Sequence, residues 1–296
     1  MPATPPAPAA VIAAIGTATP DHDIHRAFID WATTRIDAPR ERAIFARMAE
    51  RSGIAHRFSV LPRTAAGGSP VSPDGFYGAD PLPATSARMA LYARHAPDLA
   101  LAAVADLARQ VSLAGITHLV TASCTGFVAP GIDQIIAARL GLAPTVERTL
   151  VGFMGCYAAV AALRTARHIA RSEPGARILV VTVELSTLHL QPAREVGSLL
   201  AMLQFADGAA AALVTGEGPG LAIERPFAAA LPDSAGLITW TIGDAGFAME
   251  LSGAVPARIA QALAESAMRA ALLGPEPDAI DAWAVHAGGR SILDAV

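Results

Sequence analysis

The sequence predicts an α/β protein with a largely parallel sheet. Short, strongly apolar runs such as 177–184 (RILVVTVE) alternate with segments of helical periodicity. Hydrophobic residues make up 53% of the chain and charged residues 16%, so a large core is required and a disordered chain is excluded. A length of 296 residues suits one large domain or two half-domains. Two cysteines are too few for a disulfide scaffold.

The first part of the chain gives most of the regular pattern. Residues 1–10 form a Pro/Ala tail that we expect to be mobile. A short strand is predicted at 11–15, helical segments at 26–52 and a long surface loop at 62–85, which is rich in Pro, Gly, Ser and Asp. The predicted elements that follow are a helix at 98–113, strand 117–122, helix 131–140, strand 146–151, helix 156–171, strand 177–184 and strand 209–215.

A second, shorter cycle begins at residue 216. It consists of a strand at 221–224, a helix at 256–273, a strand at 282–285 and the opening of a further helix. The predicted organisation is therefore a tail at 1–10, a first half at 11–215 and a second half at 216–296.

Charge and targeting signals exclude several classes of function. The formal net charge is 22 − 26 = −4, so we expect no nucleic-acid partner. The start, MPATPPAPAA, lacks the basic segment of a signal peptide, and no apolar stretch reaches about 18 residues, so we expect no membrane association. The two cysteines lack metal-ligand spacing, which predicts free thiols in a reducing cytoplasm and no metal site.

Cys156 is the first candidate for chemistry. A predicted strand runs into Gly152 and Gly155, and the cysteine then opens a helix. Glycine permits a sharp turn, and a thiol at a helix N-terminus faces unpaired backbone N–H groups that favour the thiolate. We therefore expect a lowered pKa and a nucleophile at this position. A buried structural cysteine is the alternative.

Two further segments end predicted strands in a similar way. His286 follows the apolar run 282–285 and precedes paired glycines, so it can act as a general base toward a thiol, or it is an ordinary loop histidine. Cys124 follows the strand at 117–122 and is predicted to line a pocket. Asp207 and Gly208 form a turn into a buried strand, which favours a structural role.

Seven motifs in order along the chain resemble those of the type III polyketide synthases, the chalcone synthase-like branch of the thiolase-fold superfamily. The resemblance covers essentially the whole sequence. The motifs are IGTATP at 15–20, FARMAERSGI at 45–54, SCTGF with APGID at 123–133, GFMGCYAA at 152–159, ARILVVTVE at 176–184, FADGAAA at 205–211 and HAGGRSILD at 286–294.

This resemblance implies a layered αβαβα fold of two related halves, the second incomplete, and an acyltransferase that needs no cofactor beyond its coenzyme A substrates. Cys156 matches the cysteine that takes an acyl-CoA starter, and His286 matches the histidine that keeps the thiolate. The family then condenses malonyl-CoA with the bound acyl group by decarboxylation. The implied binding residues are Cys124 and Thr125 on the starter wall, Phe205 and Met249 at the pocket mouth, and Arg47 and Arg51 near the coenzyme A phosphates.

One departure from the family keeps alternatives open. The family uses an asparagine downstream of the histidine, and this chain contains no asparagine. We expect the chain to be a fragment of a longer enzyme or a truncated homologue. The alternatives are a condensing enzyme like β-ketoacyl-acyl-carrier-protein synthase III, or an inactive thiolase-fold protein that only dimerises or binds acyl-CoA. The resemblance also implies a homodimer.

Overall fold

The structure, a computed structural model, describes residues 10–275 and 277–296, so most of the predicted tail lies outside the described residues. The α/β class is confirmed. The strands are β1 (Val11–Ala18), β2 (His22–Asp23), β3 (Phe58–Ser59), β4 (His118–Ser123), β5 (Glu147–Gly152), β6 (Arg177–Leu185), β7 (Asp207–Thr215), β8 (Leu221–Ala222), β9 (Ile238–Gly243) and β10 (Gly246–Leu251). The helices are α1 (His25–Arg35), α2 (Pro39–Arg51), α3 (Thr85–Ala108), α4 (Ile132–Arg139), α5 (Ala158–Ser172), α6 (Val196–Leu203), α7 (Val255–Ala264), α8 (Ser266–Leu273) and α9 (Arg290–Leu293).

A six-stranded sheet in the order β5-β4-β6-β7-β1-β8 forms the centre of the molecule. Strand β4 is parallel to β5 and β6, whereas the β6–β7, β7–β1 and β1–β8 pairs are antiparallel. The expectation of a largely parallel sheet was therefore wrong. The chain leaves β6 and enters β7 at the same end of the sheet through α6, and only a crossover over one face would make the two strands parallel.

Helices cover both faces of this sheet, which is why its strands are apolar on both sides. Leu179 and Val181 of β6 belong to the large hydrophobic cluster on the α3 face. Ile178 and Val180 point the other way and join the smaller cluster beneath α5. This alternation gives three layers, helix–sheet–helix. The carboxyl ends of β4 and β6 lie at the same end of the sheet.

Helix α3 begins well before its predicted start at 98. Pro97, the residue before the predicted start, lies inside the helix. Tertiary packing overrides the local cost of an internal proline, because the adjacent Ala96 and Ala100 are fully buried. The helix also presses closely on β1, since a Cβ at Gly16 would lie 2.2 Å from the backbone nitrogen of Leu107. No helix in the described ranges is long and apolar enough to cross a bilayer.

After β8 the chain builds less regular structure than the sequence predicts. Strands β9 and β10 form a hairpin that the sequence analysis missed, and in the described chain they pair only with each other. The strand predicted at 282–285 was wrong: this segment pairs with no strand in the described ranges, and Trp283 is 60% exposed. The helix predicted at 256–273 is two helices, α7 and α8, because Glu265 adopts an extended backbone between them. The division into halves at 215 stays a prediction.

Candidate active site

A cavity of about 710 Å³ opens at the carboxyl ends of β4 and β6. Six of the eight predicted site residues line it: Cys124, Thr125, Cys156, Phe205, Met249 and His286. The other two, Arg47 and Arg51, are exposed on α2 and do not line the cavity. Helix α2 packs against α6, which contributes Ala201 and Met202 to the cavity wall.

The turn that carries Cys156 follows directly from the end of β5. Phe153 has a φ of 52° and Gly155 a φ of 60°, so the left-handed positions fall on one glycine and one aromatic residue. A non-glycine residue in this region costs of the order of 1 kcal/mol, and such strain is common next to functional groups. The strained turn ends in a single 3₁₀ turn, Gly155–Tyr157, and α5 starts only at Ala158.

The electrostatics of Cys156 differ from the expectation. Burial raises the pKa of the Cys156 thiol, the negative Glu184 raises it further, and only a backbone hydrogen bond lowers it. The residue is exposed and lines the cavity. The predicted lowering of the pKa was wrong, because the cysteine precedes the helix proper and faces a buried carboxylate.

Glu184 is the main site residue that the sequence analysis did not select. Its carboxylate accepts hydrogen bonds from the Cys124 backbone N–H, at 2.9 and 3.1 Å, and from the Thr125 hydroxyl, at 2.7 Å. Burial raises the pKa of Glu184 above its ordinary value, while these hydrogen bonds oppose the shift. A carboxylate at the end of the apolar motif ARILVVTVE was the signal for it, because such a group must find donors when buried.

Cys124 lies beside this carboxylate and also faces Cys156. Burial raises the pKa of Cys124 far above its usual range, and the charge of Glu184 adds to the effect. Thr125 is buried behind it, with its hydroxyl also accepting a hydrogen bond from the Leu185 backbone at 2.8 Å. Of the two thiols, Cys124 is therefore the more firmly held in its neutral form.

Two of the eight histidines line the cavity. His189 is buried, with Nε2 2.7 Å from the Thr125 carbonyl and Nδ1 3.0 Å from the Phe247 N–H. The Phe247 amide donates to Nδ1, so Nε2 must carry the proton and donate to the carbonyl. Burial lowers the pKa of His189 to about 4, so the ring is neutral near pH 7. Both ring nitrogens of His189 are therefore engaged in hydrogen bonds with the backbone. His286 is the other histidine that lines the cavity.

The hairpin β9–β10 closes one side of the cavity. Trp240 donates from Nε1 to the Cys124 carbonyl at 3.1 Å, and Met249 lies opposite it in the register of the hairpin. Phe247 stacks on the His189 ring at a centroid distance of 4.2 Å. These contacts fix Met249 at the cavity wall, although the hairpin joins no larger sheet in the described part of the chain.

A buried polar network holds Phe205 and the turn that follows it. Arg57 donates to the carbonyls of Met202 and Phe205 at 2.7 and 2.8 Å. Asp207 is fully surrounded and accepts from the backbone N–H groups of Val60 and Thr187 at 2.8 and 2.9 Å. Burial raises the pKa of Asp207 to about 6. The predicted structural role of Asp207 agrees with this arrangement.

His286 reaches the cavity from a segment with no regular structure. The residue is exposed, and its carbonyl accepts a hydrogen bond from Gly288 at 2.9 Å. Gly289 has φ 126° and ψ 152°, a region open essentially to glycine alone. Its backbone lies against Gln204, because a Cβ there would be 2.3 Å from the Gln204 Oε1. This contact connects the histidine loop to the end of α6.

The layered α/β fold, with a cysteine turn, a buried glutamate and a histidine around one cavity, defines a condensing enzyme of the thiolase-like class. The sequence model of the chalcone and stilbene synthases, N-terminal domain, matches residues 3–219. The chain therefore belongs to this family and is a type III polyketide synthase, a transferase that joins acyl and malonyl groups supplied as coenzyme A thioesters.

Individual relatives agree with this assignment. The chain is 32% identical to the alpha-pyrone synthesis polyketide synthase-like protein Pks18 of Mycobacterium tuberculosis, over 99% of this chain and 76% of that protein. The structure of PKS-I from the brown alga Ectocarpus siliculosus superposes with a TM-score of 0.84 at 29% identity, covering 97% of this chain and 79% of the other. The structure of 1,3,6,8-tetrahydroxynaphthalene synthase of Streptomyces coelicolor A3(2) superposes with a TM-score of 0.83 at 28% identity, covering 96% of this chain and 80% of the other.

Proposed function

We propose that Cys156 is the nucleophile of this type III polyketide synthase and that His286 is its general base. The observation that carries the proposal is that these two residues, far apart in the sequence, open onto the same cavity of about 710 Å³. Such a volume is within the range of pockets that bind small molecules. His189 is unsuited to the role, because both its ring nitrogens are engaged with the backbone.

The raised pKa of Cys156 defines what the base must do. Burial and Glu184 keep the sulfur protonated, so loading requires transfer of its proton to an acceptor. In this proposal His286 takes that proton and becomes an imidazolium. The thiolate attacks the thioester carbonyl of the starter, and the carbon–sulfur bond to coenzyme A breaks. The released coenzyme A thiolate takes up a proton from solvent, so His286 stays protonated.

Chain extension then uses the same two residues. Malonyl-CoA loses carbon dioxide, and its electron pair forms an acetyl-CoA enolate. The enolate carbon attacks the acyl carbonyl on Cys156, and the cysteine leaves as the thiolate. The protonated His286 donates to the carbonyl oxygen that gains charge in these steps. Coenzyme A thioesters are the substrates, and we propose no further cofactor.

The remaining predicted residues that line the cavity form its wall and its mouth. We assign Cys124 and Thr125 to the wall that contacts the starter, and Phe205 and Met249 to the mouth through which the extender enters. Glu184 fixes the starter wall by its hydrogen bonds to both Cys124 and Thr125. Arg47 and Arg51 stay a proposal for coenzyme A phosphate contacts, supported by their exposure on a helix next to the cavity-lining α6.

The test is capture of the acyl-enzyme. We expect incubation with a panel of acyl-CoA starters to add one acyl group to Cys156, identified by peptide mass spectrometry, and malonyl-CoA to be consumed afterwards. Cys156→Ala should abolish both, whereas Cys124→Ala should keep the adduct. A protein that binds acyl-CoA without forming an adduct would contradict the proposal and favour the inactive thiolase-fold alternative.

The same assay separates the carrier-protein alternative. We expect malonyl-CoA to be consumed directly. If condensation occurs only with malonyl-acyl-carrier protein, the enzyme resembles the initiating ketoacyl synthases and our assignment of the extender is wrong.

We also propose that the enzyme is a homodimer in the cytoplasm. Strand β5 is an edge of the sheet, and apolar side chains around it are exposed: Phe127, Leu150, Phe153 and Met154. An exposed apolar edge is unfavourable for a monomer. The two free thiols suit a reducing compartment. Leu150→Asp should yield monomers in analytical ultracentrifugation, whereas Leu221→Asp on the opposite edge strand should not. Monomeric wild-type protein would contradict the proposal.

A further inference from the structure

Three side chains gather at the end of the sheet away from the cavity. His118 begins β4, Glu147 begins the parallel strand β5, and Glu173 follows the last turn of α5. His118 lies directly beside Glu147 in the strand register. One ligand-type atom from each of the three residues lies within 4.8 Å of the other two.

His118 points a buried, unpartnered nitrogen into this cluster. The residue is only 5% exposed, and its Nε2 has no hydrogen-bond partner among the residues that the structure describes. Such a group normally finds a partner, because a buried polar atom without a hydrogen bond is unfavourable. The two glutamate side chains are exposed, at 74% and 52%, so they can adjust toward a ligand.

The contacts of the other ring nitrogen, Nδ1, indicate which nitrogen is free to face the cluster. The Thr117 hydroxyl lies 2.8 Å from the His118 Nδ1, 3.2 Å from the Arg177 carbonyl and 3.0 Å from the Arg177 N–H. All three contacts are hydrogen bonds only if the hydroxyl donates to the carbonyl and Nδ1–H donates to the hydroxyl. Nε2 is then the nitrogen directed toward the two carboxylates, and it can act as a ligand to a cation that they also bind.

The distances favour a metal ion over a proton. The His118 Nε2 is 3.7 Å from the Glu147 Oε2 and 3.5 Å from the Glu173 Oε2, which is too long for N–H···O hydrogen bonds. A tetrahedral ion with ligand bonds of about 2.0–2.1 Å holds its ligand atoms roughly 3.3 Å apart. The two separations from Nε2 exceed this spacing by only a few tenths of an ångström, and all three ligand atoms lie within 4.8 Å of one another, so there is space for an ion.

We propose that His118, Glu147 and Glu173 bind a divalent first-row transition ion, with Zn²⁺ as the ion that best suits one imidazole and two carboxylates. Mg²⁺ and Ca²⁺ prefer oxygen ligands alone, so the buried imidazole selects against them. The ion would connect the amino ends of two parallel strands to the end of α5. Strand β4 has six residues, so the site is about 20 Å from the cavity and separate from the proposed catalysis.

The experiment is a Zn²⁺ titration of the full chain by calorimetry, after chelator treatment and alkylation of both cysteines with iodoacetamide. Alkylation removes the cavity thiols as competing ligands and makes the result independent of the polyketide activity. We expect one Zn²⁺ per chain, a rise in Tm on binding and no comparable binding of Mg²⁺. Replacement by Co²⁺ should give a visible spectrum without the charge-transfer band of thiolate ligands.

The double variant Glu147→Gln/Glu173→Gln should weaken Zn²⁺ binding at least tenfold and remove the rise in Tm. Both side chains are exposed, so the variant should fold, and its melting curve without metal checks this. The matched control Glu217→Gln/Glu265→Gln makes the same change of charge at exposed positions elsewhere and should bind Zn²⁺ like the wild type. Unchanged Zn²⁺ affinity in the first variant, or no saturable binding in the wild type, would overturn the proposal.

Discussion

The two residues proposed for catalysis come from regions of very different construction. Cys156 belongs to residues 10–223, which contain the six-stranded sheet and nearly all of the buried apolar residues. His286 belongs to the region after 223, where the buried apolar residues of the described chain are Phe247, Val255 and Ala262. The nucleophile therefore lies on a turn between two elements of the packed core, β5 and α5, whereas the histidine lies on an exposed segment without regular structure.

This difference teaches that stability and catalysis can be separated by mutation. The turn at Cys156 is fixed between a sheet strand and α5, so disturbing it also disturbs the fold. The loop at His286 touches the first region where Gly289 meets Gln204. Mutations in the first region should lower the free energy of unfolding, and mutations in the second should lower turnover with little loss of stability.

Of the variants, His286→Ala should separate the effect on turnover from the effect on stability most clearly. Loss of a general base typically lowers the rate by 10²–10⁴. The side chain is exposed, so the free energy of unfolding should change by less than about 0.5 kcal/mol. Turnover of malonyl-CoA and urea unfolding measure the two effects. A large loss of stability would show that the histidine loop is part of the core.

Asp207→Asn, in the first region, should instead lower stability. The carboxylate accepts hydrogen bonds from Val60 and Thr187, and an amide cannot accept all of them. We expect a loss of about 2–3 kcal/mol at pH 7. As a control, Asp294→Asn changes an exposed pair with Arg290 in the second region and should have no measurable effect on stability.

The same variant also gives a pH signature. The pKa of Asp207 is raised from its ordinary 3.8 to about 6 because the group is buried. The folded state thus holds the proton more tightly than the unfolded state, so the stability from this group is present at low pH and lost as pH rises through 6. The stability gap between wild type and Asp207→Asn should widen from pH 6 to pH 4. A constant gap would show that the pKa is not raised.

Gly289→Ala should have the smallest effect of the three. A side chain at φ 126° is strained by about 1–3 kcal/mol and would meet Gln204. The loosely attached loop can relieve this strain by moving, so turnover should fall about tenfold while stability changes by less than about 1 kcal/mol. Gly236→Ala, where the added Cβ meets no atom within 4 Å, is the matched control.

Sequence patterns predicted the first region better than the second. The apolar runs that became β4, β6 and β7 could be identified because a strand buried on both faces carries a local signal. The segment 282–285 carries a similar apolar signal, but a strand also needs a neighbour, which no local pattern can supply. The helix that contains Pro97 was predicted to begin at 98, but it begins at Thr85. Burial of the surrounding alanines outweighs the local cost of the internal proline.

Some features of the site could likewise be predicted from the sequence, and others could not. Cys156 and His286 stand in recognisable motifs, and both line the cavity. The sign of the pKa shift of Cys156 could not be predicted, because it depends on burial of the thiol and then on Glu184, and both arise only from the fold. The engagement of both nitrogens of His189, and the meeting of His118 with Glu147 and Glu173, likewise depend on contacts between distant segments.

The most direct measurement of the central claim is the pH dependence of iodoacetamide labelling at Cys156, resolved by peptide mass spectrometry. If His286 accepts the thiol proton, the wild type should label at a lower pH than His286→Gln, with the labelling curve of the variant displaced upward by about one pH unit or more. Labelling of Cys124 in the same samples should be slower and unaffected by the substitution. Coincident Cys156 curves for the two proteins would contradict the assignment of His286 as the base.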